Sequence, residues 1–229
     1  MDERYVRTIA LIGQEGFYKI KKSHILVFGI GGVGGYVVES LVRCGVGTIT
    51  IVDFDKVDIT NINRQIIATT DTVGRYKVDV MEERIKAIDP ATKVIKKYDR
   101  VDENSIENFD LSQYDYIIDA IDDIKGKLLI IEKSKLLNKN IISSMGAGKK
   151  LNPGLFQVAD ISKTSVCPLA KVMRKAIKEK NIQDVKVVYS KEEPIKGSDK
   201  RILGSISFVP ASAGLLISSE VIKDIIGGR

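Results

Sequence analysis

Histidine and cysteine are nearly absent from this chain. One histidine, His24, and two cysteines, Cys44 and Cys167, stand among 229 residues. A single imidazole excludes catalysis by a histidine pair, and two thiols exclude a four-thiolate zinc site and argue against a disulfide framework. His24 opens an apolar strand, where a half-exposed structural role is the expectation. Long hydrophobic runs are missing as well. The stretch from Met1 to Thr8 is charged and has no signal-peptide core. The most apolar late stretch, Ile202 to Ile226, is broken by Pro210, several serines and Glu220, so it reads as a strand plus a core helix and not as a membrane span. The expected setting is a reducing cytoplasm, with no stable membrane insertion.

What remains is ordinary in bulk. Hydrophobic content of 44% and charged content of 29% suit a globular protein with one sizeable core. Lys and Arg number 36 against 30 acids, a net charge of +6. That balance fits a polyanionic partner, and it fits charges scattered over solvated helix faces too.

Strand and helix patterns alternate, as in a mostly parallel sheet covered by helices. Strands are predicted at Ile25 to Gly29, Thr48 to Val52, Val94 and Ile95, Tyr114 to Ala120 and Ile141 to Ser144. Helices are predicted at Gly34 to Arg43, Tyr76 to Ile88 and Lys125 to Leu137. After Gly148 the character changes. Phe156 to Ile161 looks like a strand of an added sheet, Leu169 to Lys180 has helical spacing, and the basic region 163–201 reads largely as a flexible loop.

The chemistry is concentrated in a few phrases. Gly29, Gly31, Gly32 and Gly34 turn a strand into a helix, where backbone N–H groups can approach phosphate and the helix adds its positive end. NAD, FAD and ATP folds share such a loop. Asp53 follows about 20 residues later, the distance at which an acid reaches a ribose hydroxyl, with a turn-capping role as its alternative. Asn61, Asn63, Arg64 and Gln65 then form a cluster for which a dinucleotide dehydrogenase has no use. Asn61 could cap a short helix. Arg64 is harder to explain that way, because a guanidinium grips phosphate oxygens and stabilises transferred charge. Lys77 is a second cation, or else a surface lysine. Asp119, Asp122 and Asp123 come at the carboxyl end of a strand, where ligands gather in open sheets, and carboxylates there suit magnesium. One of Asp122 and Asp123 is expected to cap the next helix instead. Cys167, followed by Pro168 and a basic stretch, is a candidate thiolate, and Cys44 is a core residue.

Together these phrases, beginning with Arg4-Tyr5-Val6-Arg7, resemble the ubiquitin-activating-type adenylating superfamily, and within it the bacterial tRNA threonylcarbamoyladenosine dehydratases. The closer likeness rests on Val57 to Ile66, Val80 to Ile85, Ile118 to Asp122, Met145 to Gly148 and Asp160 to Thr164. The resemblance implies a Rossmann-like, doubly wound α/β fold, its mostly parallel sheet carrying a mixed or antiparallel extension after residue 150, in one domain over 1–229. It implies that Arg64, Lys77 and Asp122 serve the triphosphate of ATP and its Mg2+, with Asp122 as the metal ligand. Asp53 and Asp55 belong to the nucleotide site, Asp53 on the ribose. Arg7 would reach the ATP of the other subunit, making a homodimer. Asp123 departs from the superfamily, which often has Asn there, and its nucleotide contact is put in doubt.

The implied reaction is adenylation and cyclisation of threonylcarbamoyladenosine in tRNA, with a sulfur-transfer protein left open as a further partner. The alternative substrate is the carboxyl terminus of a small sulfur-carrier protein. A NAD-dependent oxidoreductase or nucleotide-sensing module is the third reading.

Overall fold

The structure is a computed structural model that describes residues 2–196 and 202–227. Its elements run α1 (Val6–Lys22), β1 (His24–Phe28), α2 (Gly34–Arg43), β2 (Thr48–Val52), α3 (Lys77–Ile88), β3 (Lys93–Lys97), β4 (Tyr116–Asp119), α4 (Ile124–Leu136), β5 (Ile141–Ser144), β6 (Phe156–Asp160), α5 (Pro168–Glu179), β7 (Lys186–Ser190) and α6 (Phe208–Ile226). The strands form one 7-stranded sheet in the order β3-β2-β1-β4-β5-β7-β6. All neighbours are parallel except β6, which runs antiparallel to β7 and forms the expected extension.

Alternation along β1 explains the layers. Ile25 and Val27 face one core with α1, α2, α3 and α6, represented by Ile20, Val37, Val78 and Val209. Leu26 and Phe28 face the other with α4 and α5, through Ile130 and Met173. Both faces of a parallel sheet must be covered, and these two helix layers cover them.

Chain order reverses between β1 and β4, so their carboxyl ends open a crevice there. Phe28 pairs in register with Val52 on one side and Asp119 on the other, and Asp119 with Ser143. These residues form one level row, from which the site loops spring.

Three expectations change. The loop expected over 163–201 is narrower: the helix expected at Leu169 to Lys180 is present as α5, and β7, which was not expected, is an interior strand of the sheet. Lys186 and the lysines around it disguise β7, yet Val187 and Val188 are fully buried, because they point into the cores on opposite faces of the sheet. The part of that loop at 197–201 lies outside the described residues. No strand forms between Ile202 and α6, since β7 already holds the place beside β5. Finally, α1 is a helix that sequence patterning did not reveal, kinked at Gly13 (φ 79°, ψ 167°). No helix among the described residues is long and apolar enough to cross a membrane.

Candidate active site at the strand ends

The glycines divide their work. Gly29 sits at φ +86°, and a Cβ there would stand 2.9 Å from the carbonyl of Ala120 beyond β4. A Cβ on Gly34 would stand 1.7 Å from the carbonyl oxygen of Gly29. These two make the turn sterically obligatory. A Cβ on Gly31 would meet nothing nearer than Gln65 at 3.8 Å, so its backbone is open to the cleft, while Gly32 lies under Pro210 of α6. The loop thus leaves open backbone toward the cleft, with helix packing behind it.

Asp53 ends β2 and is 8% exposed. Its carboxylate accepts hydrogen bonds from the amides of Ile30 (2.7 Å) and Asp55 (2.9 Å). Burial pushes its pKa up, against the pull of Lys77 and these amides. Asp53 therefore props the glycine loop from behind while one edge lines the cleft. Lys77 opens α3 and is 6% exposed, so it is no surface lysine. Its Nζ lies 2.7 Å from Asp55 and 3.9 Å from Asp53.

The turn from Asp58 to Gln65 is built by capping. Asp58 and Asn61 exchange side-chain-to-backbone bonds in a capping box, so Asn61 does cap a short helix as well as lining the cleft. Asn63 lies outside the cleft wall. It donates to the Ser205 carbonyl at 3.0 Å and accepts from Arg64 Nη1 at 3.0 Å, bracing the guanidinium. Arg64 Nη1 also donates to the Thr60 carbonyl, and no carboxylate pairs with Arg64 among the described residues. Gln65 Oε1 is buried in the cleft wall with no hydrogen-bond donor among the described residues. A buried acceptor left open is costly, so a ligand donor or water belongs there.

The aspartates at β4 separate into three roles. Asp123 caps α4, accepting from the Gly126 amide at 2.7 Å. Asp122 is exposed on the cleft wall and has no protein partner among the described residues. Asp119, a candidate for magnesium, is corrected: it is 0% exposed and its oxygens are taken by the Ser143 hydroxyl, the Ile121 amide and Lys127. Lys127, also 0% exposed, donates to both Asp119 oxygens and to the Ser144 carbonyl at 2.7 Å. This buried pair ties the ends of β4 and β5 together beneath the site. Sequence patterning missed Lys127, whose signal is a lysine on the buried face of α4, eight residues after an aspartate.

All of this surrounds one cleft of about 1000 Å³ that gathers Gly29, Gly31, Gly32, Asp53, Asp55, Asn61, Arg64, Gln65, Lys77, Asp122 and Asp123. It also takes in residues not anticipated as site residues, among them Phe54, Arg100, Lys149 and Lys150. Arg100 and Lys149 follow the carboxyl ends of β3 and β5, which is the signal that could have found them. Cys167 lines the cleft at 2% exposure, and Pro168 beside it starts α5. Gly34 and Arg7 are outside the cleft wall. Arg7 stands at the start of α1, exposed and without a hydrogen bond or ion pair to another described residue. Its neighbours Arg4 and Tyr5 contact the ends of α3 and α2, through Ile88 and Val42. Those ends lie at the amino edge of the sheet, opposite the cleft.

The ThiF family profile matches residues 5–228. The chain belongs to the ThiF family. Within that family it is 40% identical over 243 residues to the tRNA threonylcarbamoyladenosine dehydratase of Bacillus subtilis, covering 99% of this chain and 96% of that one. The crystal structure of Escherichia coli tRNA N6-threonylcarbamoyladenosine dehydratase in complex with AMP superposes with a TM-score of 0.93 at 34% identity, over 98% of this chain and 94% of that one. Its complex with ATP superposes with a TM-score of 0.92. A sulfur carrier protein adenylyltransferase of Thermus thermophilus is 34% identical over 61% of this chain and 52% of its own length. The adenylating superfamily and the doubly wound fold expected from the sequence are both borne out for this ThiF-family chain.

Proposed function

We propose that this chain is an ATP-dependent tRNA threonylcarbamoyladenosine dehydratase. The observation that carries the reading is a cleft, at the switch point of the sheet, where Arg64 and Asp122 line the ligand space with no counter-charge among the described residues. The threonyl carboxylate attacks the α-phosphate of ATP, the α–β phosphoanhydride bond breaks, and pyrophosphate leaves. The resulting acyl-adenylate is closed by a group of the same modified nucleoside, and AMP leaves with the former carboxylate oxygen. A carboxylate is a poor electrophile, and adenylation supplies its leaving group.

The protein's part is positioning and charge stabilisation. Backbone amides of the glycine loop hold phosphate, Arg64 takes the charge gathering on the α-phosphate, and Lys77 reinforces it. Asp122 fits a magnesium ion, because such an ion accepts one protein carboxylate and otherwise phosphate and water oxygens. The described residues contain no cluster of three His, Cys, Asp or Glu that could hold a metal unaided, which fits an ion shared with a nucleotide. The ion's contribution is to neutralise the triphosphate. Exposed Lys171, Lys175 and Lys178 on α5, a helix that begins at the cleft wall, form a rail for the RNA backbone.

Incubation of tRNA carrying threonylcarbamoyladenosine with the protein, ATP and magnesium is expected to remove one water from that nucleoside, read by nucleoside mass spectrometry. Unchanged nucleoside together with adenylation of a sulfur-carrier carboxyl terminus would favour the alternative that the Thermus relative suggests. Ring closure needs no enzyme nucleophile, so Cys167→Ala is expected to keep near-wild-type turnover. Loss of activity in a folded Cys167→Ala protein would point to a thioester and a protein substrate.

The protein works as a homodimer in which Arg7 enters the neighbour's cleft, a reading supported by the distance of Arg7 from its own. Mixing Arg7→Ala with Arg64→Ala subunits is expected to restore up to about half of wild-type activity per heterodimer, because one of its two symmetric sites is intact. A site contained within one subunit would give no rescue. The soluble setting of the reaction, the cytoplasm, follows from its tRNA substrate.

A further inference from the structure

An arginine can complete a neighbour's site only if its own chain holds it in place. The arm that carries Arg7 is pinned. Asp2 caps a 3-10 turn over Glu3–Tyr5. Tyr5 is 3% exposed, its ring 5.0 Å from Phe17, beside Gly45, where a Cβ would lie 2.6 Å from Phe17 and 3.2 Å from Tyr5. The Tyr5 hydroxyl donates to Asp89 Oδ2 at 2.7 Å. Arg4 Nη1 lies 2.9 Å from Asp89 Oδ1, and Lys21 Nζ lies 3.1 Å from Oδ2.

Asp89 itself is 0% exposed. If it served only to turn the chain from α3 into β3, its bonds to the Ala91 amide (2.9 Å) and the Thr92 hydroxyl (3.3 Å) would suffice. Three further donors come from residues 4, 5 and 21, all on the arm or on α1, which continues it. Burial pushes the Asp89 carboxyl up, and the Tyr5 hydroxyl, the Ala91 amide and Lys21 outweigh it and hold the carboxyl below its ordinary range. Asp89 also ends α3, which begins with Lys77. One helix, about 18 Å long at 1.5 Å per residue, thus spans from its own cleft to the base of the arm.

We propose that Asp89 and Tyr5 are positioning residues for the reaction in the partner subunit: the buried carboxylate clamps the amino-terminal arm so that Arg7 is presented to the neighbouring cleft already ordered. The proposal rests on the shared-site reading above. Without the clamp, Arg7 is in place for only a fraction of the time, and the rate falls to that fraction of its full value.

The test uses Asp89→Asn, which keeps an acceptor for the Ala91 amide, and Tyr5→Phe, which keeps the ring and loses one hydroxyl. Each homodimer is expected to release AMP about tenfold more slowly, the order of effect of losing a hydrogen bond to a charged group. Complementation then assigns the defect. Asp89→Asn mixed with Arg64→Ala should recover activity, because one site combines an intact Arg64 with a firmly held Arg7. Asp89→Asn mixed with Arg7→Ala should not rise above Asp89→Asn alone. The opposite pattern, rescue by Arg7→Ala and none by Arg64→Ala, would place the defect in the subunit's own cleft and overturn the proposal. Failure of the Arg7→Ala and Arg64→Ala mixture, with subunit exchange confirmed, would overturn the shared site itself. If Asp89→Asn does not fold, Tyr5→Phe is put through the same crosses and decides between the same outcomes.

Discussion

Arg64→Ala is expected to lower AMP formation by about a thousandfold while the melting temperature stays near wild type, since removing one preorganised donor from an anionic transition state costs on the order of 100- to 1000-fold. The reason lies in what Arg64 touches. Nη1 is spent on the Thr60 carbonyl and Asn63, two neutral acceptors that orient the guanidinium without neutralising it. Its positive charge is therefore available to the α-phosphate as pentacoordinate charge develops there. The fold loses little, because among the described residues the side chain bonds only to its near neighbours Thr60 and Asn63 and bridges no carboxylate. Asp122→Ala is expected to be as severe for turnover, through loss of the carboxylate proposed to hold magnesium. The check is single-turnover AMP release beside a thermal melt. Near-wild-type AMP release from either folded variant would remove that residue from the chemistry.

Lys127→Ala is expected to have the largest effect on stability, about 3–5 kcal/mol, because it strands the fully buried Asp119 carboxylate without a counter-charge. For a chain of this size that is a fall in melting temperature of roughly 6–20 °C at about 2–4 °C per kcal/mol. The partners of Lys127 show why the loss is not replaced. It is the only cation bonded to Asp119 among the described residues, and it also satisfies the Ser144 carbonyl at 2.7 Å. The double variant Lys127→Met, Asp119→Asn is expected to recover most of the stability, since it removes both charges and keeps most of the volume. A single Lys127→Ala variant that melts within a degree or two of wild type would show that the pair contributes little to holding β4 and β5. ATP affinity should fall with stability here, because Ala120 to Asp122 spring from the strand end that the pair secures.

Much of this was legible in the chain before any coordinates. The glycines of the loop fell between an apolar strand and a helical pattern, and only a turn open to phosphate reconciles the two. Arg64 and the asparagines beside it stood in a stretch too polar for a core and too specific for a dehydrogenase. Apart from α1, which sequence patterning did not reveal, strand and helix boundaries in the first two thirds came within a residue or two, because local periodicity and burial agree there. They disagree at β7, where lysines flank buried valines, and so the strand was hidden. Asp119 failed in the same way: a carboxylate at a strand end looks alike whether it meets a ligand or a buried lysine on the next helix.

The sequence by itself determined the superfamily, the phosphate loop and the identity of the charged groups, because each depends on residue type and short spacing. Only the tertiary structure decided which of those groups remain free for a ligand. Asp119 and Asp123 are consumed by Lys127 and by a helix cap, Asn63 braces, and Asp122 and Arg64 are left facing the cleft. It also decided that Arg7 lies at the far edge of the sheet, docked through Tyr5 onto Asp89. Those outcomes depend on contacts between residues as many as 142 positions apart, which no local pattern encodes.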